Sequence, residues 1–342
     1  MMSVHRIAVI GGGSFGTALA SLMGSNKHTV QLWLRDEVVA DAINREHCNK
    51  KYLPDLILPE SVVATTDLAV AVTGADIVFM AVPSKSCREV ARTLAPHIQS
   101  EAMLISTTKG IEADSFKLMS EVLAEEIDHV RIGVMSGPNL AREIADQQLT
   151  GTVIASLDEE LNRTVQEVLR SSYFRVYAGN DMYGVELAGA LKNIYAIIAG
   201  MAKALAVGEN TLGLLLTRSL AEMSRFAERK GANPMTFIGL AGVGDLIVTC
   251  LSPLSRNYRV GYSLGEGRDL DEVVAELGQV AEGVNTLQLV KAEADQLGVY
   301  MPLMDGLYQF IYNHKSVDEV IGSMMSAEQN SDVEFAHGNL QD

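Results

Sequence analysis

Along the first half of the chain, short apolar runs alternate with stretches of helical periodicity. "HRIAVIGG", "TVQLWL", "ADIVFMAV", "AMLISTT", "VRIGVMSG", "GTVIAS" and "YFRVYAG" are strand-like and rich in β-branched residues. Between them lie helix-patterned segments, among them "SFGTALASLMGSN", "SKSCREVARTLAPHI", "SFKLMSEVLAEEI" and one starting at Asp158. Strands alternating with helices predict a doubly wound, Rossmann-like α/β domain around a parallel sheet. Beyond Gly179 the strand signals vanish. Helical periodicity covers Asp181–Leu205, Thr211–Arg229, Pro234–Leu240, Asp269–Glu276, Thr286–Leu297 and Pro302–Tyr312, which predicts an all-α C-terminal domain. The expected division is 1–179, 180–328 and a polar, acidic, aperiodic tail, 329–342, read as disordered.

One position breaks the apolar pattern of the first C-terminal helix. "VELAGALKNIYAIIAG" is almost wholly apolar, yet Lys192 sits near its middle. A long lysine stem commonly covers an apolar face with its head in water. A functional lysine at the head of the second domain is the other reading. Gly189, three residues earlier on the same face, is expected to leave room for a ligand beside the amine.

The first strand runs into "GGGSFGTALA", which carries G-x-G-x-x-G as Gly11, Gly13 and Gly16. Gly11 permits the tight turn, Gly13 lets backbone approach a pyrophosphate, and Gly16 lets the helix pack against the strand. The helix N-terminus then supplies N–H donors to the phosphates. In this strand–turn–helix context the motif predicts dinucleotide binding by the first domain. The second strand ends "WLRD". Arg35 could pair with a 2′-phosphate or stack on adenine, and Asp36 could grip a ribose diol or cap the next helix. NADP is the favoured cofactor, with NAD also open.

Two further loops fall at the carboxyl ends of predicted strands, the edge where open α/β sheets bind ligands. "STTKGIE" places Lys109 there, and "MSGPNLARE" places Ser136, Gly137 and Asn139. In the C-terminal half, "GVGDLIVTCLSPLSRNYRVG" holds Asp245 and then Ser255, Arg256 and Asn257. A hydroxyl, a forked guanidinium and an amide in succession suit a phosphate, or form a solvated loop with a helix cap. Glu282, in "QVAEGVNT", could meet a ribose hydroxyl or stand exposed.

Composition narrows the classes. The 342 residues carry a formal net charge of −16, which argues against a nucleic-acid surface. Cys48, Cys87 and Cys250 lie far apart without metal-ligand spacing, as expected of free thiols in a reducing cytoplasm. The first residues run straight into a strand without a charged-then-apolar pattern, so no secretory signal is expected. The longest apolar stretch, interrupted by Lys192 and Lys203, reads as too short to span a membrane, so no membrane insertion is expected.

Taken together, "GGGSFGTALA", "YLPDLILP", "STTKGIE", "SGPNLARE", "VELAGALKNIYAI" and "GVGDLIVTCLSPLSRNYRVG" resemble the NAD(P)-dependent glycerol-3-phosphate dehydrogenase family in its bacterial form. The resemblance implies reversible reduction of dihydroxyacetone phosphate to sn-glycerol 3-phosphate with NADPH or NADH, supplying glycerophospholipid synthesis, in a cytoplasmic homodimer. It implies Lys192 as the proton donor or acceptor, with Lys109 and Asp245 in the same site. It implies substrate contacts from Lys109, Gly137, Asn139, Ala141, Lys192, Asp245, Ser255, Arg256 and Asn257. The cofactor contacts it implies are Gly11, Gly13, Ser14, Phe15, Gly16, Arg35, Lys109, Ala141, Arg256, Val280 and Glu282. The chain departs from the family pattern at Asn139, where many relatives carry Thr or Ser, and at Phe15, which replaces a common Trp. Two other readings compete: a hydroxy-acid dehydrogenase of the same architecture, and a non-catalytic dinucleotide sensor.

Overall fold

Alternation along the first strand sorts side chains to two opposite faces. In β1 (Arg6–Ile10), Ile7 and Val9 enter one apolar layer, while Ala8 and Ile10 enter the other. The computed structural model describes residues 3–277 and 282–326. Val280 and the tail 329–342 lie outside the described residues. The remaining strands are β2 (Thr29–Trp33), β3 (Cys48–Asn49), β4 (Leu53–Ile57), β5 (Val62–Thr65), β6 (Ile77–Met80), β7 (Met103–Ser106), β8 (Arg131–Ser136), β9 (Thr150–Ala155) and β10 (Phe174–Gly179). Eight of them form one sheet in the order β10-β9-β8-β7-β6-β1-β2-β5, and β3 and β4 form a separate hairpin.

Helices cover both faces. The layer holding Ile7 and Val9 packs α1 (Ser14–Ser25), α2 (Glu37–Glu46) and α7 (Glu159–Leu169). The opposite layer packs α3 (Leu68–Val72), α4 (Ser84–Leu94) and α5 (Met119–Glu126). A five-residue helix, α6 (Ala141–Ala145), lies between β8 and β9. The sheet is parallel as expected except at one pair: β9 runs antiparallel to β8. Apolar patterning marks both strands as buried but carries no information on direction, and the chain re-enters the sheet at the edge where β8 leaves it.

From α8 (Met182–Ala204) onward the chain is helical: α9 (Glu209–Arg229), α10 (Asp245–Leu251), α11 (Arg256–Gly265), α12 (Leu270–Leu277), α13 (Glu282–Leu297), α14 (Pro302–Asn313) and α15 (Val317–Ser326). The segment expected as one helix at Pro234–Leu240 is instead a 3₁₀ turn, Pro234–Ile238, followed by a π turn, Leu240–Gly244, that leads into α10. The chain divides into two compact units, Met1–Gly189 and Ala190–Asp342. By length and composition α8 could cross a membrane, which corrects the reading that it is too short. Burial gives it another role: every residue from Gly184 to Ile197 is buried, as in a core helix.

Candidate functional site

In the first unit, the glycine turn follows β1. Gly11 adopts φ +127°, and a Cβ there would press on the Ala81 carbonyl. A Cβ on Gly16 would collide with the Gly11 carbonyl, whereas one on Gly13 would meet nothing within 4 Å. The turn is therefore tight behind and open in front. No side chain caps α1, whose N-cap is Gly13. Its first N–H groups, on Ser14, Phe15 and Gly16, and the positive end of its dipole fit an anionic pyrophosphate. Phe15 packs against the apolar layer. Gly16→Ala should cost about 1–3 kcal/mol through overpacking. Dinucleotide affinity measured by fluorescence titration should fall accordingly, and unchanged affinity would show that the turn relaxes.

Parallel β1, β2, β6, β7 and β8 all end at one edge of the sheet, so their following loops gather there. After β2, Arg35 is exposed, and Asp36 proves to be the helix cap: its Oδ1 accepts from the Val39 N–H at 3.3 Å. After β7, Thr107 Oγ1 donates to the Met80 carbonyl at 2.7 Å and Thr108 Oγ1 to the Val82 carbonyl at 2.8 Å. These bonds fix the backbone that carries half-buried Lys109, whose Nζ donates to the Gly137 carbonyl at 3.4 Å. After β8, Asn139 Nδ2 donates to Thr152 Oγ1 at 2.8 Å. Ser136 Oγ and Asn139 Oδ1 are buried without a hydrogen-bond partner among the described residues. Buried polar atoms are rarely left so, which marks this loop for a polar ligand. Ala141 opens α6. The room expected beside Gly189 is absent: a Cβ there would lie 2.8 Å from Ser136 Oγ and 3.6 Å from the Lys109 side chain. Gly189 serves close packing instead.

Glu186 is a group that the pattern did not single out. It is buried, accepts from Ser120 Oγ at 2.5 Å, from the Ser120 N–H at 3.0 Å and from Ser106 Oγ at 3.3 Å. It thus caps α5, whose own N-cap residue, Leu118, has no acceptor side chain. Burial pushes its carboxyl up to about 7, against the pull of these donors.

In the second unit, Lys192 is 5% exposed and Asp245 2%. Lys192 Nζ pairs with Asp245 Oδ1 and donates to Thr249 Oγ1 at 2.6 Å. Thr249 Oγ1 lies 3.3 Å from the same Asp245 oxygen. Thr249 escaped the sequence reading. Its signal is the spacing of four from Asp245, which puts both on one face of α10. The apolar helix thus holds its charge against a buried carboxylate rather than in water.

Ser255, Arg256 and Asn257 do not form a loop but open α11. Ser255 is the N-cap and accepts from the Tyr258 N–H at 3.3 Å. Arg256 is exposed at the first helical position. Asn257 is buried, and its Oδ1 accepts from the Gly283 N–H at 3.0 Å, tying α11 to the start of α13, where Glu282 is half-buried. All three cysteines are buried and free, and burial pushes the Cys87 and Cys250 thiols up to about 12. Another buried carboxyl, Glu222, accepts from Tyr195 Oη at 3.1 Å and from the Leu303 and Met304 N–H groups at 2.7 and 3.1 Å, capping α14.

Two family profiles match the chain: NAD-dependent glycerol-3-phosphate dehydrogenase N-terminus over residues 6–162, and the C-terminus of the same family over 181–322. A glycerol-3-phosphate dehydrogenase [NAD(P)+] of Pseudomonas fluorescens (strain SBW25) is 56% identical over 337 residues, covering 98% of each chain. That of Saccharophagus degradans is 53% identical over 338 residues, 99% of this chain and 94% of the relative. Among solved structures, glycerol-3-phosphate dehydrogenase from Coxiella burnetii superposes with a TM-score of 0.89 at 35% identity, covering 95% of this chain and 99% of that one. A ketopantoate reductase from Ralstonia eutropha, at TM-score 0.60 and 16% identity over 90% of this chain and 97% of its own, shares the fold alone.

Proposed function

The chain belongs to the NAD-dependent glycerol-3-phosphate dehydrogenase family, and we propose that it catalyses the reversible reduction of dihydroxyacetone phosphate to sn-glycerol 3-phosphate with NADPH or NADH. The observation that carries the mechanism is the buried Lys192 ammonium, paired with Asp245 and bonded to Thr249. Reducing a ketone leaves an alkoxide, which needs a proton and a nearby positive charge. Lys192 supplies both, and in reverse takes the proton from the alcohol. Asp245 and Thr249 fix the direction of Nζ. A nicotinamide, when bound, supplies the hydride.

Residues 1–179 hold the dinucleotide, and 180–328 carry the proton chemistry and the substrate phosphate. Gly11, Gly13, Ser14, Phe15 and Gly16 receive the pyrophosphate, and Arg35 the adenosine end. Lys109, Ala141, Arg256, Val280 and Glu282 complete the cofactor contacts. Lys109, Gly137, Asn139 and Ala141 contact the substrate, together with Lys192 and Asp245. Ser255, Arg256 and Asn257 anchor its phosphate. Arg256 supports this reading because it stands exposed at the positive end of α11. Arg256→Lys should raise KM for the ketone about tenfold or more, since a point charge does not replace a bidentate fork. Steady-state kinetics check it, and an unchanged KM places the phosphate elsewhere.

The enzyme acts in the cytoplasm as a homodimer and feeds glycerophospholipid synthesis; light scattering on the purified protein tests the dimer. Purified protein with NADPH and dihydroxyacetone phosphate, followed by nicotinamide absorbance, tests the reaction. Turnover with a keto acid but not with this ketone would assign it to the hydroxy-acid dehydrogenases. No turnover with either would make it a sensor.

A further inference from the structure

The acidic residue at the end of β2 is where the fingerprint for NAD places a ribose-binding carboxylate, and a negative charge there opposes a 2′-phosphate. Asp36 is such a residue, yet both its oxygens are engaged. Oδ1 caps α2, and Oδ2 lies 3.2 Å from Lys51 Nζ. The Lys51 ammonium holds the Asp36 carboxyl below its usual range, with help from the Val39 N–H.

Lys51 is brought there by a built support. It sits in the turn between β3 and β4, and the buried Asn49 ties that hairpin to the glycine turn. Asn49 Nδ2 donates to the Gly12 carbonyl at 3.0 Å and lies 2.9 Å from Thr17 Oγ1. The hairpin is thereby fixed to the dinucleotide-binding turn itself. Lys51 Nζ also stands 5.7 Å from the centroid of the Tyr52 ring, so its stem has a second restraint. Its side chain remains 55% exposed, open to a ligand beside Arg35 and Asp36.

We propose that Lys51 is a specificity-determining residue for the 2′-phosphate of NADPH: it neutralises Asp36 and adds a second cation to Arg35 at the end of β2. An acidic residue in the NAD position then coexists with NADP use, because its charge is cancelled within the site. This rests on the dinucleotide-binding reading of the glycine turn. The 2′-phosphate carries charge that NADH lacks, so only NADPH should sense the change.

Calorimetric titration of the purified full chain with NADPH and with NADH, without substrate, tests it. Lys51→Met should weaken NADPH about fivefold, the upper end for a solvent-exposed charge contact, and leave NADH unchanged. Asp36→Asn, which keeps the cap, should recover much of the NADPH affinity in the Lys51→Met background. Equal weakening of both cofactors, or none, overturns the proposal while leaving the dehydrogenase reading intact. A wild-type chain that binds neither cofactor overturns both. Circular dichroism and thermal unfolding of each variant separate these outcomes from misfolding, and a misfolded Lys51→Met is replaced by Lys51→Gln.

Discussion

Lys192→Met lowers kcat for ketone reduction by at least about 10²–10⁴-fold, the range of general acid–base contributions, while NADPH affinity is unchanged. The variant keeps the length of the stem and removes the proton and the charge together. Lys192→Arg separates them: a guanidinium stays charged but does not surrender its proton. Loss in both variants assigns a proton-transfer role; activity kept in Lys192→Arg reduces the lysine to an electrostatic one. Stability must be read beside kcat. Removing the ammonium strands Asp245, 2% exposed, as an unpaired buried charge, at a cost of about 3–5 kcal/mol. Adding Asp245→Asn to Lys192→Met should restore much of that stability and none of the activity. Wild-type kcat in the single variant refutes the role given to Lys192.

The stability of the protein should fall as pH rises from about 4.5 to about 7, the span between the ordinary and folded values of Glu186 and Glu222. Burial dominates both shifts, and both groups lie fully inside the protein. In that window the folded state keeps the two protons while the unfolded chain has released them. Unfolding therefore releases protons, and raising the pH favours it. The loss is complete above the folded value and amounts to roughly 3 kcal/mol per carboxyl. Glu112 and Asp158 work in the opposite sense in a more acid range. Their arginine partners Arg88 and Arg131 hold them at about 2, so they lose their contribution only as pH falls toward that value. Denaturant unfolding at pH 5 and pH 8 reads the difference. Glu186→Gln, which mimics the protonated carboxyl and keeps its bonds to Ser106 and Ser120, should flatten the dependence by about half. A variant as pH-sensitive as the wild type would exclude Glu186 as a source.

The glycine turn shows how much of this protein is written locally. The spacing of Gly11, Gly13 and Gly16 made the turn legible, although the Ala81 carbonyl that crowds Gly11 lies far along the chain. The same holds for the α/β pattern, the change to helices near Gly179, and the anomaly of a lysine in an apolar helix. "SRNYRVG" was less legible, because a capping serine followed by polar residues reads equally as a loop or as the start of α11. Asp36 likewise offered two roles, and the capping bond to Val39 identifies the one it fills in the fold.

Short-range spacing was enough to specify the class of fold and the glycine turn, since each rests on residues close together in the chain. What individual side chains face is set by the tertiary structure. It placed Thr249 and Asp245 around Lys192, seated Ser136 against Gly189, turned β9 antiparallel, and brought the hairpin of Asn49 and Lys51 to the glycine turn. These contacts join residues far apart in the chain, and hydrophobic period carries neither strand direction nor the identity of a distant hydrogen-bond partner. Glu186 and Glu222 make the point most plainly. In sequence they are ordinary polar positions on helices; in the fold they are buried caps for α5 and α14, because those helices begin with residues that cannot cap themselves.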